Sequence, residues 1–312
     1  MLLNNTYLHS FPKVFRALTG LDAPEFDALV HDILPRWEKA EHKRLSRRNR
    51  KRDIGGGPNF ELCATDQLLL TVVWLRRYPT QEVLGFLFGI SDTTAGRYIQ
   101  RMLPLLEKSG RDSMRRPNPG RRHRQCLDDL FSAIPELKAV VIDTFEQRVQ
   151  RHQDRDKADT YYSGKKKAHT LKSQVVVNLF TGEFVEVSQS MRGPTADLTL
   201  LKESELLARL PDDVRCMFDL GYVGVEHLCP NAVCLLPRRK PRNQPRPPED
   251  AIYNTMIASC RIVVEHSIGR LRWYESLKQV DRQHRKNHTA RVVSVAGLVN
   301  RQIRHRLLKA PS

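Results

Sequence analysis

No stretch of the 312-residue chain approaches the roughly eighteen apolar residues that a membrane-spanning helix requires. Gln67–Leu75 is among the longest charge-free apolar runs and is far too short, so no membrane-spanning segment is expected. The opening MLLNNTYLHSFPKVFRALTG interrupts its short apolar stretch with polar residues and has no basic segment before it, which does not read as a secretory signal. The six cysteines, Cys63, Cys126, Cys216, Cys229, Cys234 and Cys260, include no CxxC pair. Scattered thiols of this kind fit a reducing compartment and predict neither disulfides nor zinc. Internal repeats are absent. Acidic residues are scarce beside basic ones, 35 against 52, leaving a formal charge of +17. That excess is more than solubility needs. It favours a polyphosphate partner through counterion release, with nucleic acid the first candidate and an anionic membrane surface the second.

Forty per cent of the residues are hydrophobic, enough for an ordinary packed core, and the length suits about two domains. Two basic stretches rich in Gly and Pro, Lys43–Phe60 and Lys108–Gln125, mark exposed seams. The expected organisation is an all-α region over residues 1–107, a basic linker over 108–134 and an α/β domain over 135–312.

Between the seams the spacing predicts three helices. The first runs near Ala64–Arg77. Thr80 can cap the second, whose Val83, Leu84, Leu87 and Phe88 are expected to face inward. Gly89 makes a turn and Ser91 caps the third, where Ala95, Ile99, Met102 and Leu106 recur at helical spacing. This is a helix-turn-helix pattern, in which the first exposed residues of the third helix enter the major groove. Thr93, Thr94, Arg97 and Arg101 are the candidate DNA contacts, with Arg97 suited to a bidentate guanine pair. A compact helical trio with no DNA role would show the same turn.

Beyond the second seam the pattern turns to short β-branched runs. Ala139–Asp143 predicts a strand, and LKSQVVVNLFTGEFVEVSQS a hairpin around Thr181-Gly182. A helix is expected over Asp197–Leu210 with Asp197 as its cap, then strands at Val214–Asp219 and AVCLLP, and a long helix over Ala251–Leu277. The order implies a mixed α/β layer fold.

Asp143 and Asp219 close two apolar strands, and open sheets place ligands at such ends. Glu265 lies on the last long helix, one turn after Arg261. If the fold brings the three carboxylates together, they form the oxygen set that Mg²⁺ prefers, and two such ions can activate water on a phosphodiester. The plainer readings are strand-end turn acids and a helical ion pair of Glu265 with Arg261.

The ordered segments VVIDTFEQRVQR, YYSGKKKAHTLKSQVVV, SMRGPTADLTLLKES, FDLGYVG and RIVVEHSIGRLRW together resemble the DDE transposase superfamily, of the insertion-sequence and Harbinger-like type. The stretch GGGPNFELCATDQLLLTVVWLRRYPTQEVLGFLFGIS resembles its helix-turn-helix region. The resemblance implies an RNase H-like catalytic domain with Asp143, Asp219 and Glu265 as catalytic and metal-holding residues. It also implies Mg²⁺, with Mn²⁺ able to substitute and two ions in use, for cleavage at terminal inverted repeats. The freed 3′-hydroxyl then attacks target DNA without a covalent protein intermediate. Thr144 stands where the family often has Gly, and Leu220 where Lys is frequent.

Lys165, Lys166 and Lys167 are candidate backbone contacts, although an exposed turn explains them as well. Arg261 is expected to orient Glu265 or meet phosphate. For Asp197, which matches a family position, the helix-cap reading is preferred to a supporting site role. His266 points about 100° away from Glu265 on a helix. Holding two transposon ends together requires at least a dimer on DNA. A prokaryotic host would place the protein in the cytoplasm, with the nucleoid, and a eukaryotic one in the nucleus. The remaining alternatives are a non-catalytic DNA-binding derivative and a simple metal-dependent endonuclease.

Overall fold

The structure is a computed structural model that describes residues 2–46, 60–114, 139–204, 206, 214–228 and 233–309. Most of both basic seams, the end of the helix expected to reach Leu210, and Cys126 and Cys229 lie outside those residues. The described helices are α1 (Asn5–His9), α2 (Pro12–Thr19), α3 (Ala23–Leu45), α4 (Ala64–Arg77), α5 (Gln81–Phe88), α6 (Asp92–Ser113), α7 (Arg155–Asp159), α8 (Asp197–Glu203), α9 (Pro248–Leu271), α10 (Glu275–Lys278) and α11 (His288–Lys309). The strands are β1 (Ala139–Arg148), β2 (Tyr162–Ser163), β3 (Ala168–Asn178), β4 (Phe184–Val187), β5 (Met191–Arg192), β6 (Arg215–Met217) and β7 (Val233–Leu235). Among the described residues, no helix is long and apolar enough to cross a membrane.

The chain divides into two units. The first holds Met1–Ser113, Trp273–Lys278 and Val293–Ser312, and the second Met114–Arg272 and Gln279–Val292. The expected 135–312 domain differs from this in its C-terminal part, because two of its segments belong to the helical unit. The reason for the last segment is visible at Gly297: a Cβ there would lie 2.5 Å from Gly110 Cα. Backbone meets backbone, and the apolar side of α11 (Val293, Val295, Ala296, Leu298, Val299) is buried there. Tyr274 is likewise fully buried in the helical unit, with the Arg76 guanidinium 5.3 Å from its ring. The helix expected to continue to Leu277 therefore ends at Leu271, and α10 is separate.

In the helical unit, Gln67–Leu75 of α4 is buried at every position, which explains why this run lacks charge. Tyr78 ends α4 in the left-handed region at φ 51°, just before Pro79. Thr80 Oγ1 caps α5 by accepting from Val83 N at 3.4 Å, and Ser91 Oγ caps α6 by accepting from Thr94 N at 3.1 Å. The turn between them needs glycine twice. Gly89 adopts φ 67°, and a Cβ on Gly85 would stand 2.6 Å from Ile90 O. Ala95, Ile99, Met102 and Leu106 are buried as expected, as are Leu84 and Phe88. Val83 is not. It is 49% exposed, because the two turns of α5 present only a narrow stripe inward.

The second unit is built on a mixed sheet in which β1 lies between β3, antiparallel, and β6, parallel. Strand β7 adds parallel to β6, while β2, β4 and β5 pair along β3. Strand β1 extends five residues beyond the expected Asp143, because its polar outer half is paired and partly buried. Alternation divides its side chains. Val140 and Ile142 join Val176, Leu201, Phe218 and Tyr222 in one cluster. On β1 and β3, Phe145 and Val175 alternate to the other side, and α9, which packs on both strands, buries Val264, Ile268 and Leu271.

Gln147 on β1 accepts from His288 Nε2 at 3.0 Å and donates to Gln279 O at 2.9 Å. His288 Nδ1 then accepts from Ser190 Oγ at 2.7 Å. Burial first, and Arg291 second, push the His288 pKa down to about 3. The unfolded chain therefore takes up a proton near pH 6.5 that the folded chain refuses until about pH 3. Stability attributable to His288 is complete above pH 6.5 and falls with acidification by about 1.4 kcal/mol per pH unit. His288→Gln should flatten the decline in urea-unfolding free energy between pH 6 and 4; an unchanged slope would contradict the assignment.

Candidate active site

Val141 of β1 stands beside Met217 of β6 in parallel register. Asp143 and Asp219 each lie two residues beyond that pair, so both stand just past the end of the β1–β6 pairing, while Asp143 remains paired with Val175 of β3. Asp143 Oδ1 accepts from Thr144 N at 2.7 Å, and Asp219 Oδ1 from Gly221 N at 2.7 Å. Their Oδ2 atoms approach Arg261 Nη2 of α9 at 3.8 and 3.9 Å. Burial raises the Asp143 pKa most, with Asp219 and Asp197 adding to the rise and the Thr144 amide and Arg261 opposing it. A carboxylate held this way favours a proton or a cation.

A third acid borders the pair, and it is Asp197. The expected capping role is corrected here: Ala196 is the N-cap of α8, and Asp197 lies inside the helix with no side-chain cap made. Its Oδ1 accepts from the buried Lys172 ammonium at 2.9 Å. Lys172 also donates to Thr195 O at 2.8 Å and lies 3.6 Å from Glu146 Oε1. A Cβ on Gly221 would stand 2.8 Å from Asp197 Oδ2 and 2.9 Å from Asp219 Oδ1, so only glycine fits between them. Tyr222 accepts from Gln174 Nε2 at 3.1 Å, and burial pushes its hydroxyl pKa well up. The sequence reading missed Lys172, Glu146, Gln174 and Tyr222. A lysine inside the apolar strand LKSQVVV was the available signal.

The three expected carboxylates do not converge. Glu265 is exposed on α9, and no three His, Cys, Asp or Glu side chains among the described residues are grouped to hold a metal ion. Arg261, expected to orient Glu265, faces the two aspartates instead. Four residues of helix advance about 6 Å, which sets Glu265 one turn away from Arg261. Asp143 and Asp219 supply only oxygen donors, which fits the preference of a hard divalent cation.

In the helical unit, Thr93 and Arg97 are exposed on the first turns of α6. Thr94 is committed locally, its hydroxyl accepting from Ser91 Oγ at 2.9 Å. Arg101 lies 5.1 Å from the Phe60 ring. In the second unit, Lys165, Lys166 and Lys167 are exposed in the turn between β2 and β3, with Lys167 at φ 48°.

Residues 142–300 match a family described as DDE superfamily endonuclease, and residues 60–112 match the helix-turn-helix of DDE superfamily endonuclease. Over 291 residues the chain is 25% identical to the probable transposase for insertion sequence element IS702 of Microchaete diplosiphon, covering 93% of this chain and 95% of that protein. Among solved structures, a chain of the Mos1 transposase paired-end complex with left transposon end aligns at 10% identity over 87% of this chain and 96% of that one. Its TM-score of 0.20 is too low to bear on the fold.

Lys172 neutralises two acids that are themselves nearly inaccessible. Lys172→Met should therefore cost about 3–5 kcal/mol in urea unfolding, the usual penalty for stranding a buried charge. A loss below about 1 kcal/mol would show that the clamp is not holding them.

Proposed function

The chain belongs to the DDE superfamily of endonucleases, and from that membership we propose that it is a DNA transposase. In this reading it binds terminal inverted repeats, cleaves them with divalent metal and joins the freed ends to target DNA. The observation that carries it is the Asp143–Asp219 pair, each two residues past the last rung joining the adjacent parallel strands β1 and β6, inside the matched segment. The second unit is the RNase H-like mixed-sheet catalytic domain, and the helix-turn-helix precedes it in the chain.

Endonucleases of this superfamily generally use divalent metal ions. Asp143 and Asp219 would hold Mg²⁺, or Mn²⁺ in its place, and Glu265 is the third acid this reading assigns. When bound, two such ions supply an activated nucleophile and stabilise the leaving oxygen of a phosphodiester. The protein's own residues prepare the site. Lys172 fixes Asp197 beside Gly221, and Gly221 N holds one oxygen of Asp219. Arg261 offsets the repulsion between the two aspartates. Arg97 and Thr93 on α6 read the end sequence in the major groove, with Thr94 and Arg101 beside them, while Lys165, Lys166 and Lys167 contact DNA backbone. Joining two ends requires at least a homodimer on DNA, and the relevant compartment is the one that holds the DNA, the cytoplasm of a prokaryotic host.

Incubation with Mg²⁺ and a plasmid carrying the gene's native flanks should produce new 3′ ends at discrete flanking positions, absent with Asp143→Ala or Asp219→Ala. Joined products identify transposition, and cleavage alone identifies a simple endonuclease. Specific binding with no cut would support a non-catalytic derivative. Separately, Arg97→Ala should weaken binding to the element's ends by about 1–3 kcal/mol while sparing random duplex; equal weakening on both would refute a base contact.

A further inference from the structure

Past Arg148, β1 leads into an open recess of about 390 Å³ lined by Val149–Gln153, Asp281 and Gln283–Arg285. The bridge Val149↔Asp281 ties its two walls, with Asp281 N donating to Arg148 O at 2.8 Å. Its lone acid is already neutralised. Asp281 is buried, and its carboxylate receives the fully buried Arg291 guanidinium together with Gln283 N. The other ionisable residues in the lining, Arg151, His152, His284 and Arg285, are all basic.

Two of these are fixed as donors. His152 Nδ1 accepts from Asp154 N at 3.0 Å, so the neutral ring carries its proton on Nε2 and can only donate there. Arg285 lies 4.1 Å from the Tyr161 ring centroid and donates through Nη2 to Gln150 O at 2.9 Å. Arg192 lies 5.5 Å from the same ring centroid. An aromatic ring thus holds one guanidinium at the recess and a second close by, which reduces the ordering cost of meeting an anion.

We infer that this recess is a contact site for the phosphate backbone of duplex DNA, distinct from the helix-turn-helix and from the carboxylate pair. The inference rests on the DNA reading above. Six residues of strand separate Asp143 from Val149, about 20 Å at roughly 3.3 Å each, which equals about six base pairs of rise. A duplex engaged at the carboxylates extends far enough to reach it. Phosphate contacts of this kind fix the register of the duplex without reading sequence.

The test measures binding of the full-length protein to a labelled random-sequence duplex across a salt series. Arg151→Gln/His284→Gln changes two exposed side chains. Removing one ion pair with a phosphate should reduce the slope of log K against log salt by about 0.9, so the double variant, which deletes the Arg151 charge, should fall by about that much and Lys202→Gln, an exposed lysine on α8, should not. An unchanged slope with duplex still bound overturns the recess site. An equal fall in Lys202→Gln also overturns it, because only general charge would then matter. Failure of the unaltered protein to bind duplex at low salt overturns the DNA reading and the recess together, a result the first two outcomes cannot produce.

Discussion

Two carboxylates set two residues beyond the same rung of a parallel ladder repel each other, and the surrounding structure is arranged to keep them there. Neighbouring strands are about 4.8 Å apart, so Asp143 and Asp219 share one field. Each is held through one oxygen by a backbone amide, and Arg261 approaches the other oxygen of both. Behind them, Lys172 offsets Glu146 and Asp197 inside the sheet. The raised pKa of Asp143 is the residue of repulsion and burial that these partners leave uncompensated. A fold that keeps two like charges this close gives up stability to do so.

The position of Arg261 links that field to α9. Val264, Ile268 and Leu271 fasten the helix to the sheet, and this fixes which turn faces the aspartates. In this structure that turn carries Arg261, with Glu265 one turn along and exposed. A helix whose register is set by apolar burial brings its polar residues to the site only as that register permits. The same logic governs Asp197. Its place at the start of α8 suggested a cap, yet a buried ammonium within reach is a stronger partner for a carboxylate than a terminal amide.

Much of the fold was legible because local chemistry dictated it. Thr80 and Ser91 cap the helices expected of them, and Gly89 turns where its φ requires. Where one face of an element is solvated, periodicity reported burial, as along α6. It failed where an element is short or its polar side chains find buried partners. Val83 of α5 faces outward, and β1 continues through Gln147, whose amide is satisfied by His288 and Gln279. The contact of Gly110 with Gly297 was beyond reach, since two glycines far apart in sequence carry no sign of their meeting.

The sequence by itself determined the helix-turn-helix, the alternation of strands with helices, the basic character and the two aspartates that follow apolar strand runs. Each follows from residue chemistry acting over a few positions, through capping, alternation and net charge. Tertiary structure alone decided that Asp143 and Asp219 are neighbours, that Arg261 rather than Glu265 faces them, that Lys172 joins Asp197 to Glu146, and that Val293–Ser312 belongs to the helical unit. Those outcomes depend on strand register, helix rotation and long-range packing. A one-residue slip in a strand, or a 100° turn of a helix, changes which side chains meet without changing the local pattern that predicts the element.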